Sequence, residues 1–198
     1  IQQQIFYGKD KGWKQEKPHH EYNVGTTSGD WYSGEMNEQG VPVSTMRDGT
    51  PKGYALIHFN GNKYEVDYKV AGKPATYQIN VFAPKEVFKA EKSRHSFYAN
   101  VFMGSSENEV LYSIDGGEWK KMKFADEGDP AYESTFYKWD VSETAIKGRR
   151  PSKSMSSTHL WSAKLPTNLN AGEHTIKIKA TDMYGKVHYG ETIFKITE

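Results

Sequence analysis

Apolar and polar side chains alternate along much of this chain. From Tyr54 onward, Ala55, Ile57 and Phe59 interleave with Tyr54, Leu56 and His58. Asn60-Gly61 follows, after which Tyr64, Val66 and Tyr68 interleave with Lys63, Glu65, Asp67 and Lys69. A period of two sends one set of side chains to a core and the other to water, as in a strand. Asn-Gly supplies the two positive-φ positions of a tight turn, so these runs predict a β-hairpin. After "AGKP" the run Tyr77, Ile79 and Val81 alternates again, and residues 54–82 are predicted as a three-stranded antiparallel meander. Upstream, "QQIFYG" and "HEYNVGTT" predict two brief strands, while glycines and polar residues interrupt "SGDWYSGEMNEQGVP".

Past residue 95 the strand pattern returns. "SFYANVFM" sets Phe97, Ala99, Val101 and Met103 on one side. "EVLYSIDGGEWKKMKF" alternates Val110, Tyr112 and Ile114, turns at Asp115-Gly116 and returns through Trp119 and Met122. "HLWSAKL", "EHTIKIKATD" and "VHYGETIFKI" continue the series, with Ile176, Ile178, Ala180, Phe194 and Ile196 inward. About six or seven short strands with regular turn signals form the pattern of an immunoglobulin-like sandwich. Residues 125–157, with "GDP" and "KGRRPSKSMSS", predict a long loop with one helical turn. "APKEVFKAEKSR" has Pro early and Lys late, and predicts a linker or short helix. The expected fold is therefore all-β: a β-meander region over residues 1–84, a linker or short helix over 85–95, and an immunoglobulin-like β-sandwich over 96–198.

Composition narrows the function classes. The chain has no cysteine, which excludes disulfides, thiolate metal sites and cysteine nucleophiles. Its 26 Lys+Arg nearly balance 25 Asp+Glu, so no nucleic-acid partner is expected. No apolar run is long enough for a membrane-spanning helix. The opening "IQQQIFYGKDKGW" has no charged-then-apolar leader, and Ile1 is read as a cut end.

Little in the motifs points to catalysis. Among the 7 His, only His19 and His20 are close, and strand neighbours face opposite ways. No H-E-x-x-H, EF-hand or Walker loop occurs, and Ser28 and Ser33 lack the G-x-S-x-G elbow. The cluster Lys147, Arg149, Arg150 and Lys153 reads as a solvated loop, since no aromatic interleaves it. In "TMRDGTPKGY", Arg47 and Lys52 could face an anion, but a cradle needs converging backbone donors from a helix start or nest. Asp48-Gly49, Pro51 and Lys52-Gly53 are turn formers, and Asp48 can close its own turn. Trp31-Tyr32 lie in a glycine-flanked loop, where they would either stack on sugar rings or plug a gap between sheets. Trp119 and Trp139 carry the same ambiguity, whereas Trp161 on an alternating run is assigned to the core.

Five segments in order carry a family resemblance. "HHEYNVGTTSGDWYSGE", "DGTPKGY", "FNGNKYEVDYKVAGKPATYQINVFAP", "YSIDGGEWKKM" and "THLWSAKLPTNLNAGEHTIKIKATDMYGKV" together resemble the C-terminal part of secreted bacterial calcineurin-like phosphoesterases. The resemblance implies a parent with a two-metal phosphoesterase domain ahead of this region, residues 1 to about 50 being the tail of that domain. The family's ligand motifs (D-x-H, G-D-x-x-D, G-N-H followed by Glu or Asp, and G-H-x-H) are missing, so no catalytic, cofactor-binding or metal-ligating residue is expected here.

The implied role is a non-catalytic accessory region whose partner is the parent's own phosphoesterase domain, the two divalent metal ions being held by that domain. The implied location is secreted or periplasmic, in a bacterium. Trp31, Tyr32, Arg47 and Asp48 become candidates for the substrate mouth or the domain contact. Removal of the neighbour is expected to expose apolar surface on residues 1–85. The alternative is a glycan- or cell-envelope-binding sandwich that uses exposed aromatics.

Overall fold

The computed structural model describes Ile1–Glu198. In chain order its elements are β1 (Gln3–Tyr7), a 3-10 turn (Lys9–Lys11), β2 (His19–Asn23), β3 (Gly34–Glu35), β4 (Gly53–Asn60) and β5 (Lys63–Val70). β6 (Ile79–Phe82), β7 (Glu86–Phe88), β8 (Ser96–Val101), β9 (Val110–Ile114), β10 (Lys120–Lys121) and β11 (Lys123–Phe124) follow. The chain ends with α1 (Pro130–Val141), β12 (Gly148–Arg149), β13 (Leu160–Lys164), β14 (Gly172–Thr181) and β15 (Val187–Thr197).

The protein is mostly β, with several antiparallel sheets. A five-stranded sheet has the order β10-β9-β14-β15-β7, and a four-stranded sheet the order β11-β13-β8-β6. Period-two patterning sends Phe97, Ala99 and Trp161 of one sheet and Ile176, Ile178 and Phe194 of the other into a single apolar core. Burying one such side chain stabilises by about 1.5–3 kcal/mol. Three smaller pairs stand apart: β1-β2, β3-β12 and β4-β5. The expected hairpin is β4-β5, paired from Gly53↔Val70 to Asn60↔Lys63 with Gly61 at φ 62°.

Three expectations need correction. The third run of the meander does not join the hairpin, because β6 pairs with β8 in the four-stranded sheet. Between them, the buried Gln78 amide donates to the carbonyls of Tyr68 and Ala75, at 2.7 and 2.9 Å, and holds the chain in a turn. Alternation reports a strand but not its partner. The expected linker or short helix over 85–95 contains strand β7, paired parallel with β15 at Lys195↔Glu86, and Val87 enters the core. Three residues are too few for a visible period. Finally, 125–157 holds a 12-residue helix rather than one turn. Asp129 caps it by accepting from Ala131 N–H at 2.8 Å, with Pro130 in the first turn, so "GDP" is a helix start.

A second apolar cluster joins the hairpin to the larger sheets. Val66, Tyr68 and Val70 of β5 pack with Met46 and with Phe102 and Met103, which follow β8. Toward the hairpin tip this cover ends, and Leu56, Ile57 and Phe59 are exposed.

Candidate functional site

The 45–52 loop is closed by its own side chains. Asp48 Oδ1 accepts from Thr50 N–H at 3.0 Å, and Met46 N–H donates to Thr50 O at 2.8 Å. The turn reading of this loop is thus the structural one. Gly49 has φ 86°, and a Cβ there would overlap the Asp129 carboxylate and the Asn100 amide. Only glycine fits.

Asp48 faces inward. Its Oδ2 accepts from Gln2 N–H at 2.6 Å and lies 3.5 Å from His159 Nε2, which is also 3.3 Å from Thr50 Oγ1. On the other side of the ring, His159 Nδ1 is 2.8 Å from Asn100 Oδ1. Asn100 Nδ2 donates to Asp48 O and to Asp129 Oδ2, at 2.9 and 2.7 Å. Since that amide nitrogen serves two acceptors, Asn100 Oδ1 is left to accept from His159 Nδ1.

The two carboxyls are driven apart. Burial pushes Asp48 up, but the hydrogen bonds from His159, Thr50 and Gln2 outweigh it and its pKa lies below the ordinary value. At Asp129 burial dominates over the bonds from Asn100 and Ala131, and the pKa lies above the ordinary value. Such divergence often marks an acid/base pair. Here Asp48 and Asp129 are each only 1% exposed and His159 is fully enclosed, so substrate cannot reach them. The cluster clamps loop, N-terminus and helix cap together.

The surface next to this clamp is different in kind. In the 26–34 loop, Tyr32 N–H donates to Ser28 O at 2.9 Å, and buried Asp30 accepts from Ser33 Oγ at 3.1 Å and Ser152 N–H at 2.8 Å. That framework holds Trp31 at φ 51° and Tyr32 at φ 58°. A left-handed conformation costs an L-residue roughly 1–2 kcal/mol. Trp31 recovers none of it by burial, because it is 78% exposed. It borders a cavity of about 330 Å³ with Arg47, Met155 and Ile1. Arg47 Nε is fixed by Lys153 O at 2.8 Å. Tyr32 lies on another side, 5.5 Å beneath Lys52 Nζ.

Of the four candidates, the structure therefore brings Trp31 and Arg47 to one cavity, sets Tyr32 apart and withdraws Asp48 from the surface. The plug reading of Trp31 is overturned by its exposure, while Trp161 is in the core as expected. Trp119 is exposed and Trp139 half-buried. His19 and His20 lie in β2; His20 is held by Gln4 Oε1 at 3.0 Å and by the Tyr64 hydroxyl, and His19 is exposed. Nowhere do three His, Asp or Glu side chains converge as metal ligands would. Arg150 is engaged by Asp140 through two bonds of 2.7 Å, so the basic cluster is part of a surface loop. The roles of Asn100, Asp129 and His159 were missed from sequence. In β8, Ala99, Asn100 and Val101 are all buried, so both faces of that strand are covered, and alternation assigns one of them to water.

Among curated proteins, none matches this chain. The family described as the C terminal of calcineurin-like phosphoesterase matches residues 21–188, which is most of the chain, and the chain belongs to that family.

Proposed function

We propose that this chain is a non-catalytic accessory region that packs on a two-metal phosphoesterase domain and shapes access to it. The observation that carries the proposal is the Trp31–Arg47 cavity, where a strained, uncovered indole and a guanidinium sit beside Ile1. The exposed Leu56, Ile57 and Phe59 supply further apolar surface for such a neighbour. The donors on this chain do not fit a metal ion, so the two divalent ions belong to the parent's domain in this reading. A secreted or periplasmic bacterial location and an immunoglobulin-like kinship of the two larger sheets are parts of the same proposal.

At the mouth, the Trp31 face would orient the organic part of a phosphoester and Arg47 would attract its charge. Both act on substrate capture rather than on bond breaking. In the intact parent, Trp31→Ala and Arg47→Lys are each expected to raise KM for a chromogenic phosphodiester by about tenfold with kcat retained, a loss near 1.4 kcal/mol. Unchanged kinetics in both variants would remove the mouth role. Metal-dependent turnover by the 198-residue chain alone would overturn the non-catalytic reading.

A further inference from the structure

A larger cavity than the one beside Trp31 lies elsewhere. A groove of about 610 Å³ lies between the 45–52 loop, the β5–β6 connection and the first turns of α1. It continues toward a second cavity of about 230 Å³, with Val43, Thr45, Tyr132 and Thr135 bordering both. The size of the space suits a ligand of one or two rings.

Its chemistry is selective. The larger cavity is bordered by Asn37, Gln39 and Asn80, by two ammonium groups, Lys52 and Lys73, and by no Asp or Glu. The chain as a whole nearly balances its charges, with 26 Lys+Arg to 25 Asp+Glu, so a wall with cations alone is a local bias. No carboxylate neutralises either cation within the groove. Lys52 Nζ donates to Pro42 O, and Lys73 Nζ lies 5.8 Å over the Tyr77 ring. Val43, Val70 and Tyr77 add apolar surface to the same wall.

We infer that this groove binds an acidic oligosaccharide. Sugar rings present apolar faces and hydroxyl edges, which match the Tyr77–Val43 surface and the amide nitrogens of Gln39 and Asn80, whose oxygens accept from Asn37 Nδ2 and the Tyr77 hydroxyl. The acid group of the sugar, a carboxylate or a sulfate, pairs with Lys73 and Lys52. A simple inorganic anion would leave most of the groove unfilled. The inference goes beyond the accessory role, which is read from the parent's kinetics, and either can fail without the other.

Calorimetric titration of the purified chain tests it, with oligogalacturonate, a sulfated heparin-derived oligosaccharide and a neutral maltooligosaccharide of equal length as probes. At least one acidic probe should bind about tenfold or more tightly than the neutral one, and the stronger of the two names the acid group. Lys73→Glu should weaken that binding by at least about tenfold, as should Thr135→Trp, which fills the groove from the exposed side of α1. The melting temperature of Lys73→Glu should stay unchanged, since Lys73 is exposed. Binding of neither acidic probe, equal binding of the neutral one, or wild-type affinity in both variants would overturn the inference. Equal competition by inorganic phosphate would do the same, because it would reduce the site to plain charge attraction.

Discussion

The two halves of this protein are held together in different ways. The two larger sheets enclose a core cluster of 15 buried residues, whereas the cluster under the hairpin has 6. Around the smaller cluster, buried polar side chains tie the N-terminal half to the rest. Gln2 and Gln4 donate to the carbonyls of Phe102 and Met103, and Asp48 holds the N–H groups of Gln2 and Thr50. That half also leaves Trp31, Leu56, Ile57 and Phe59 uncovered. The two larger sheets close over one apolar core, although Phe88, Val187, Tyr189 and Ile193 on their strands stay exposed. The other half is fixed in shape by hydrogen bonds while its surface stays open to a neighbour.

The largest expected effect tests the first part of that contrast. Trp161 is 2% exposed, with Phe124 against its ring at 5.7 Å. Trp161→Ala should cost about 3–5 kcal/mol in urea unfolding, through lost transfer energy and the cavity left behind. A loss near 1 kcal/mol would mean that the sheets do not rely on this shared core.

The polar clamp should come next. His159→Ala leaves Asp48 Oδ2 and Asn100 Oδ1 enclosed without their imidazole partner, and should cost about 3 kcal/mol. The acid limb tests the same cluster. Asp48 has a folded pKa below its unfolded value, so its contribution is complete above the ordinary carboxylate range and is lost as pH falls through the folded value. Asp129 is raised and works the other way, its protonation relieving the burial of charge. Asp48→Asn should therefore cost about 1–3 kcal/mol at neutral pH and flatten the loss of stability on acidification. A melting curve that falls equally steeply in acid in Asp48→Asn would assign the acid limb to other groups.

What could be read from sequence follows the same division. Where side chains alternate against one core, as in Ile176, Ile178 and Phe194, residue pattern and burial agree. β7 is too short to show a period, and β6 shows one without naming its partner. The clamp was invisible for a further reason: Asp48, Asn100, Asp129 and His159 are far apart in the chain, and only packing brings their atoms within hydrogen-bond reach. Trp31 and Arg47 could be singled out from residue type and loop context. Their shared cavity, and the burial of Asp48, required the fold.

The smallest expected effect is also the one with an unusual sign. Trp31 combines a left-handed backbone with 78% exposure, so the isolated chain bears a conformational cost without a packing return. Trp31→Gly removes the Cβ penalty, roughly 1–2 kcal/mol, and adds back-bone entropy to the unfolded chain, roughly 0.5–1 kcal/mol. The balance is a gain of about 0.5–1 kcal/mol in denaturant unfolding, where most substitutions at other positions lose stability. In the intact parent the same change should weaken substrate capture, so stability and function would move in opposite directions. A clear loss of stability in the isolated chain would show that the indole holds the loop itself, and the open half of the molecule would then be less open than its geometry indicates.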